Sequence, residues 1–456
     1  MTTFHLINFG CRASHADGAA IKKQLVVRGF REANADESEV AVLNTCTVTA
    51  AADAEVRQVI RRIHRSNPRC KILVTGCYAQ RASDEIAKLP GVTWVIGNSH
   101  KHALAEILSG DTSSGAPAGD LPSAEKPSDI YGTTFPVFKA QTTEPQVLVG
   151  EIGDVFHFAP VFADDRTRPT VKIQDGCNAR CSFCVIPHVR GKSRSMEPER
   201  VIGQIRELEQ NGYQEVVLSG INLGSYGRDL DRRYNFLGLI KQILSQTRIP
   251  RLRISSIEPM DVSHELITLV ATEPRMAQHF HVPLQSGSDR ILRLMNRRYW
   301  TAQYAERIMS VRERIPACGI GADVMVGFPG ETESDHAESL RFINSLPFTY
   351  LHIFPYSARP GTPAAGRPEQ LDGRRIHERV REMKSLIAAK RGQFLHAQIG
   401  QKLNAVVLHK SQDEVPSAIS SNYLQISLPG AAVFPNTLVD VEIGRVHEGG
   451  LVGRAA

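Results

Sequence analysis

Gly176-Cys177-Asn178-Ala179-Arg180-Cys181-Ser182-Phe183-Cys184 follows directly on an apolar, β-branched run at residues 170–174. Three cysteines separated by three and then two residues, at the end of a strand, can wrap one face of an iron–sulfur cluster. A closed zinc site would ask for a fourth ligand, commonly as a second Cys-x2-Cys pair, and no such pair is nearby. The strand before this loop is the first of six. Further apolar runs at 215–219, 251–255, 279–283, 321–326 and 350–354 alternate with amphipathic stretches such as 197–211 and 304–314. Six strand–helix units predict a (βα)6 partial barrel, with its site at the carboxyl ends of the strands.

Upstream, residues 1–108 repeat the alternation, with strand-like runs at 4–9, 40–44, 71–75 and 93–96 and a helical stretch at 51–65. This predicts a doubly wound parallel sheet. Cys11, Cys46 and Cys77 each fall just after one of its first three strands, on the edge where such sheets bind ligands. Residues 109–130 are rich in Gly, Ser, Pro and Ala and read as a linker. Alternating apolar residues at 146–150 and 154–158 suggest a hairpin or added strands. Downstream, residues 369–398 read as one long basic helix, and short alternating runs at 403–408, 423–428 and 437–443 predict a small all-β module. The divisions are therefore 1–108, 109–165, 166–395 and 396–456.

A chain of 456 residues suits about three domains. It is 42% hydrophobic and 22% charged, which excludes a wholly disordered chain. No apolar run is long enough to span a membrane, and the opening residues MTTFHLINFG lack a secretory pattern, so a cytoplasmic protein is expected. Eight cysteines are too few for a disulfide scaffold in a chain of this length. The formal charge of +6 permits an anionic partner such as RNA without demanding one.

Cys177-x3-Cys181-x2-Cys184 after the first strand of such a barrel, with the aromatic Phe183 before the last cysteine, resembles the radical S-adenosylmethionine superfamily. The resemblance implies a [4Fe–4S] cluster held by these three thiolates, whose open iron binds S-adenosylmethionine and reduces it to a 5′-deoxyadenosyl radical. Gly10-Cys11, Asn44-Thr45-Cys46 and Thr75-Gly76-Cys77 are similar to the cysteine segments of the methylthiotransferase family. That implies a second, auxiliary [4Fe–4S] cluster, a C-terminal TRAM barrel, and partners in the form of tRNA (the anticodon stem-loop), an electron donor and a sulfur donor.

Within the family, the run Ile173-Gln174-Asp175-Gly176-Cys177-Asn178, the segments 190–195 and 218–227, and Val74-Thr75-Gly76-Cys77-Tyr78-Ala79-Gln80 resemble the subgroup acting on tRNA threonylcarbamoyladenosine. The sister readings are isopentenyladenosine in tRNA and an aspartate of a ribosomal protein. A non-enzymatic RNA-binding protein with structural clusters is the alternative of a different class. The resemblance further suggests cofactor contacts at Ser219 and Gly220, at Glu258 and at Gln285, each following a barrel strand. Where the family usually has Gly-Cys-Lys-x-Asn-Gln, this chain has Cys11-Arg12-Ala13-Ser14-His15-Ala16. The thiolate is kept and its polar neighbours are changed. Cys70 and Cys318 have no such partners and read as buried small residues.

RNA contact is expected from basic surface at 57–65 and from Arg374, Arg375, Arg379 and Arg381. The C-terminal module carries no basic excess: Lys402, Lys410, Arg445 and Arg454 stand against Asp413, Glu414, Asp440, Glu442 and Glu448.

Overall fold

The structure, a computed structural model, describes residues 1–109, 144–153, 167–231, 233–409 and 415–455. The linker expected over 109–130, apart from its first residue, and the run at 154–158 lie outside the described residues.

β1 (Thr3–Asn8), β2 (Arg31–Glu32), β3 (Val40–Thr45), β4 (Lys71–Gly76), β5 (Val92–Ile96) and β6 (Gln146–Leu148) form one parallel sheet in the order β2-β1-β3-β4-β5-β6. Every residue of the central β3 is buried, because helices cover both faces. The period of two divides the cores: Ala41 and Leu43 face one cluster, Val40 and Val42 the other. The helix Ala50–Ser66 lays Val56, Val59, Ile60 and Ile63 on the first core at helical spacing. Thr49 caps it by accepting a hydrogen bond from the Ala52 amide at 3.2 Å. The sheet takes its edge strand β6 from beyond residue 108, paired with β5 at Trp94–Gln146.

The second unit contains β7 (Thr170–Lys172), a short antiparallel pair β8 (Gln174–Asp175) and β9 (Arg194–Ser195), then β10 (Glu215–Ser219), β11 (Arg251–Ile254), β12 (His279–His281), β13 (Gly319–Val326) and β14 (Tyr350–Pro355). The parallel strands run β7-β10-β11 and β12-β13-β14, joined by bridges at Leu252–Met276 and Ser256–His281. β7 and β14 remain as edges, so the barrel is partial. The first expected strand stops at Lys172, and the chain turns into β8. Its pairing with β9 closes the base of the cysteine loop.

The helix Gly373–His396 packs Met383 and Ile387 on the barrel core and Leu395 on the last module. One expectation for it is corrected. Arg379 is not free surface for RNA: it is buried and paired with Glu331 at 2.7 Å and with Glu333. Arg374 and Arg381 are exposed, as are Arg61, Arg62 and Arg65.

β15 (Lys402–Val407), β16 (Ser417–Ser420), β17 (Gln425–Ser427), β18 (Leu438–His447) and β19 (Gly450–Ala455) close a five-stranded barrel consistent with a TRAM domain. It docks on the first strands of the partial barrel, where the fully buried Arg253 donates to the Ser421 and Ser420 carbonyls at 3.0 Å each. Behind it, Glu215 receives Arg253 at 2.6 Å, with Arg168 and Arg251 at 3.4 Å each.

Burial alone would raise the Glu215 carboxyl, but Arg253, Arg168 and Arg251 overcome it and hold it at about 2. A carboxyl depressed on folding contributes stability that is full above its unfolded value of about 4.5 and is lost as pH falls toward 2. That contribution is roughly 3 kcal/mol. Thermal unfolding followed from pH 5 down to pH 2 is expected to show this loss, and Glu215→Gln to flatten that part of the profile at a lower starting stability. No described helix is long and apolar enough to cross a membrane.

Candidate functional site

Both thiol triads lie at strand carboxyl ends, and the N-terminal sheet brings its edge against the barrel loop. Cys11 is the N-cap of the helix Arg12–Val27, Cys46 follows β3, and Cys77 opens the helix after β4. Their sulfurs are close enough to act on one another: burial, then Cys77 and Cys11, push the Cys46 thiol up to about 12. Gly10 permits this approach. Its φ is +94°, and a Cβ there would stand 2.3 Å from Cys46 Cβ.

In the barrel, Cys177, Cys181 and Cys184 line one loop, and burial raises Cys184 to about 12, with Cys181 and Cys177 adding to it. Gly176 has φ +71°, and a Cβ there would stand 1.9 Å from the Lys192 carbonyl oxygen. Gly176→Ala is therefore expected to open the loop base. Iron per chain should fall severalfold, read in a background lacking Cys11, Cys46 and Cys77 so that this triad alone is counted.

The two triads are tied by a buried ion network. Arg190, at the end of the helix Ile186–Arg190, donates to both oxygens of Asp175 at 3.0 Å and to Asp17 at 2.9 Å. Lys172 bridges Asp175 at 2.8 Å and Asp17, and Lys101 reaches Asp17 at 3.1 Å. Asp17 belongs to the sheet domain and Asp175 immediately precedes Gly176-Cys177, so the network spans both units. Cys77 packs against Val185 and Val189 of the barrel loop. Asn98 donates to Cys77 Sγ at 3.6 Å and to the Val189 carbonyl at 2.7 Å.

Two cavities meet this assembly. One, of about 570 Å3, is lined by Cys181, Asn178, Ser193, Asn222, Glu258 and Arg297, among others. Arg297 donates to Cys181 Sγ at 3.2 Å and pairs with Glu258. Asn222 donates to Cys177 Sγ at 3.9 Å. Burial raises the Glu258 carboxyl and Arg297 opposes this. The second cavity, of about 620 Å3, joins Cys11 and Cys46 to Ser219, Gly220, His281, Asp323 and His352 on the barrel.

Glu258 thus lines the first cavity, as the sequence suggests. Ser219 and Gly220 line the second. Gln285 lines neither: at φ 68° its backbone bridges to β13, donating to the Asp323 carbonyl and accepting from Met325 N at 2.8 Å each. Phe183 packs against Ile291, Met295, Phe328 and Ala364.

Three features escape sequence reading. Arg297 lies in Asn296-Arg297-Arg298, which looks like any exposed basic run. The Arg190 network joins residues distant in sequence. Tyr350 and Tyr423 reach the second cavity from β14 and from the C-terminal module.

The donor sets suit a cluster rather than a single ion. Each triad offers three thiolates, and among the described residues neither is drawn together as a single-ion site. One tetrahedral zinc with bonds of about 2.3 Å would draw its thiolates to about 3.8 Å of each other. Three thiolates with no fourth cysteine beside them among the described residues fit an iron–sulfur cube with one open iron.

A loop of three cysteines on a partial parallel barrel, with a cavity against it, defines a radical S-adenosylmethionine enzyme. The Radical SAM superfamily matches residues 171–343, and a family described as "Uncharacterized protein family UPF0004" matches residues 3–97. The chain is 37% identical to the threonylcarbamoyladenosine tRNA methylthiotransferase MtaB of Aquifex aeolicus, covering 92% of this chain and 95% of that one. To the protein of the same name in Bacillus subtilis it is 38% identical, over 85% and 80% of the two chains. A tRNA-2-methylthio-N(6)-dimethylallyladenosine synthase of Desulfitobacterium hafniense is 31% identical, over 98% and 95%. The radical S-adenosylmethionine methyltransferase TsrM of Kitasatospora setae, solved with cobalamin and a [4Fe–4S] cluster, shares the fold. Its TM-score is 0.53 at 15% identity, over 80% of this chain and 74% of that one. The chain belongs to the methylthiotransferase family of radical S-adenosylmethionine enzymes.

Proposed function

We propose that this chain transfers a methylthio group to C2 of N6-threonylcarbamoyladenosine at position 37 of tRNA, using S-adenosylmethionine and two [4Fe–4S] clusters. The observation that carries the reading is the cavity shared by Cys11 and Cys46 with the barrel's strand ends. It gives one volume in which a sulfur-bearing centre and a substrate base could meet. The likeness to relatives named for this activity, over most of both chains, supports the choice of substrate.

Cys177, Cys181 and Cys184 would hold one cluster, and Cys11, Cys46 and Cys77 the other. When bound, the first supplies the electron that cleaves S-adenosylmethionine to a radical, and the second supplies the position at which sulfur is methylated and given up. The chain's own residues do the positioning. Arg297 braces the Cys181 sulfur and Glu258 together, so the carboxylate faces the first cavity ready for the cofactor's ammonium group. Asn222 and Ser193 add polar atoms to the same wall. The Arg190 network keeps the sheet edge and the barrel loop in a fixed relation, which proximity catalysis requires. A tRNA substrate supports work in the cytoplasm, with an electron donor and a sulfur donor as further partners.

Nucleoside mass analysis of tRNA from cells lacking this protein tests the substrate. Loss of 2-methylthio-threonylcarbamoyladenosine alone is expected. Loss of the isopentenyl derivative instead, or an unchanged tRNA profile, overturns the reading in favour of one of the sister substrates.

A further inference from the structure

The floor of the second cavity holds more positive charge than its surroundings neutralise. Tyr423, from the turn between β16 and β17, has φ 67° and lines this cavity. Three guanidinium groups lie near its ring: Arg12 at 5.5 Å, Arg168 at 5.9 Å and Arg253 at 5.4 Å. Arg168 and Arg253 share the single carboxylate of Glu215 with Arg251. Arg12 donates to the Tyr423 hydroxyl at 2.7 Å, and among the described residues no carboxylate pairs with it.

His279 lies against the Tyr423 ring at 4.5 Å and lines the same cavity. It is 1% exposed; its Nε2 bonds the Tyr350 hydroxyl at 2.8 Å, and its Nδ1 is buried with no hydrogen-bond partner. Burial, then Arg253 and Arg12, hold its imidazole well below the usual range, which also reports the positive surroundings. The carboxylate on the cavity wall, Asp323, is already engaged, between His281 Nε2 at 3.0 Å and His352 Nδ1 at 3.2 Å. A guanidinium that no described carboxylate neutralises, held by the Tyr423 hydroxyl beside an orphaned imidazole nitrogen, favours an anion with planar acceptor geometry.

We propose that Arg12, the Tyr423 hydroxyl and His279 form the subsite for a carboxylate carried on the N6 substituent of the substrate adenine. This rests on the substrate reading above: the threonylcarbamoyl group leaves its α-carboxylate free, whereas an isopentenyl group carries no charge. The subsite explains how a C-terminal module without basic excess takes part in recognition: it contributes one aromatic hydroxyl rather than many phosphate contacts. It also gives a use to Arg12, where the chain departs from its family's pattern after the first cysteine. A site built around polar groups rejects an apolar analogue because those groups are then buried unpaired.

The test uses the reconstituted holoenzyme and two anticodon stem-loops, one bearing threonylcarbamoyladenosine and one in which the threonyl carboxylate is a primary amide. KM, kcat, iron per chain and 5′-deoxyadenosine per product are read for each. The native enzyme is expected to show a KM roughly 10- to 100-fold higher for the amide, with kcat little changed. Arg12→Gln should raise KM for the acid by a similar factor and no longer distinguish acid from amide, with iron content unchanged. Tyr423→Phe, far in sequence from every cysteine, should weaken the distinction severalfold, and it decides the matter should Arg12→Gln lose iron. Equal use of acid and amide by the native enzyme overturns the subsite and leaves the substrate reading standing. So does discrimination that survives in both variants. Absence of product from both stem-loops overturns the substrate reading and the subsite together.

Discussion

Replacing Cys177, Cys181 and Cys184 together by Ala is expected to bring 5′-deoxyadenosine release and methylthio product to background, while about half of the iron stays bound. Alanine offers no ligand, and the loop 176–184 holds no further cysteine to replace the thiolates. The cavity lined by Asn178, Glu258 and Arg297 would remain, so S-adenosylmethionine could still enter without being cleaved. Anaerobic incubation with a strong reductant, followed by chromatography and iron analysis, checks both parts. Cys70→Ala and Cys318→Ala serve as controls, since both thiols are buried just before β4 and β13, at the strand ends opposite the triads, and bond to Ser38 and to the Gly319 carbonyl. Full product formation by the triple variant would remove the basis for the site assignment.

Arg190→Met is expected to cost about 3–5 kcal/mol of stability, the usual penalty for removing one partner from a buried ion pair. The side chain is 2% exposed and bonds both carboxylates at once, two hydrogen bonds to Asp175 and one to Asp17. Lys172 and Lys101 would remain, so the carboxylates keep some compensation but lose the planar fork that joins them. Because Asp17 lies on the sheet domain and Asp175 in the barrel loop, the loss should also loosen the junction between the triads. Thermal unfolding should show the lower stability, and product formation should fall more than 5′-deoxyadenosine release. Arg190→Lys is expected to recover part of the stability. Equal stability of the Met variant would show that the network is not what holds the two units together.

Much of the architecture is legible along the chain. The β-branched runs at 40–44 and 215–219 are strands, and each cysteine of the N-terminal set follows its strand at the edge where such sheets bind ligands. These readings succeed because they rest on local rules: a side-chain period of two in the strands and helical spacing in 51–65. Arg379 shows the limit of such rules. On a basic helix it looks like surface, yet it is buried against Glu331, since a helix's polar residues face whatever the rest of the fold sets opposite them.

The sequence by itself pointed to the two cysteine triplets and the three modules, because close spacing groups Cys177, Cys181 and Cys184 and strand alternation puts Cys11, Cys46 and Cys77 on one sheet edge. Only the tertiary structure decided what the thiols face. Arg297 reaches Cys181 across 116 residues and Arg12 reaches Tyr423 across 411. Contacts of that separation depend on how sheet, partial barrel and small barrel dock, and docking is set by summed burial and charge pairing over whole surfaces. No local stretch of sequence carries that sum, which is why the charge of the cavity floor could not be read from composition.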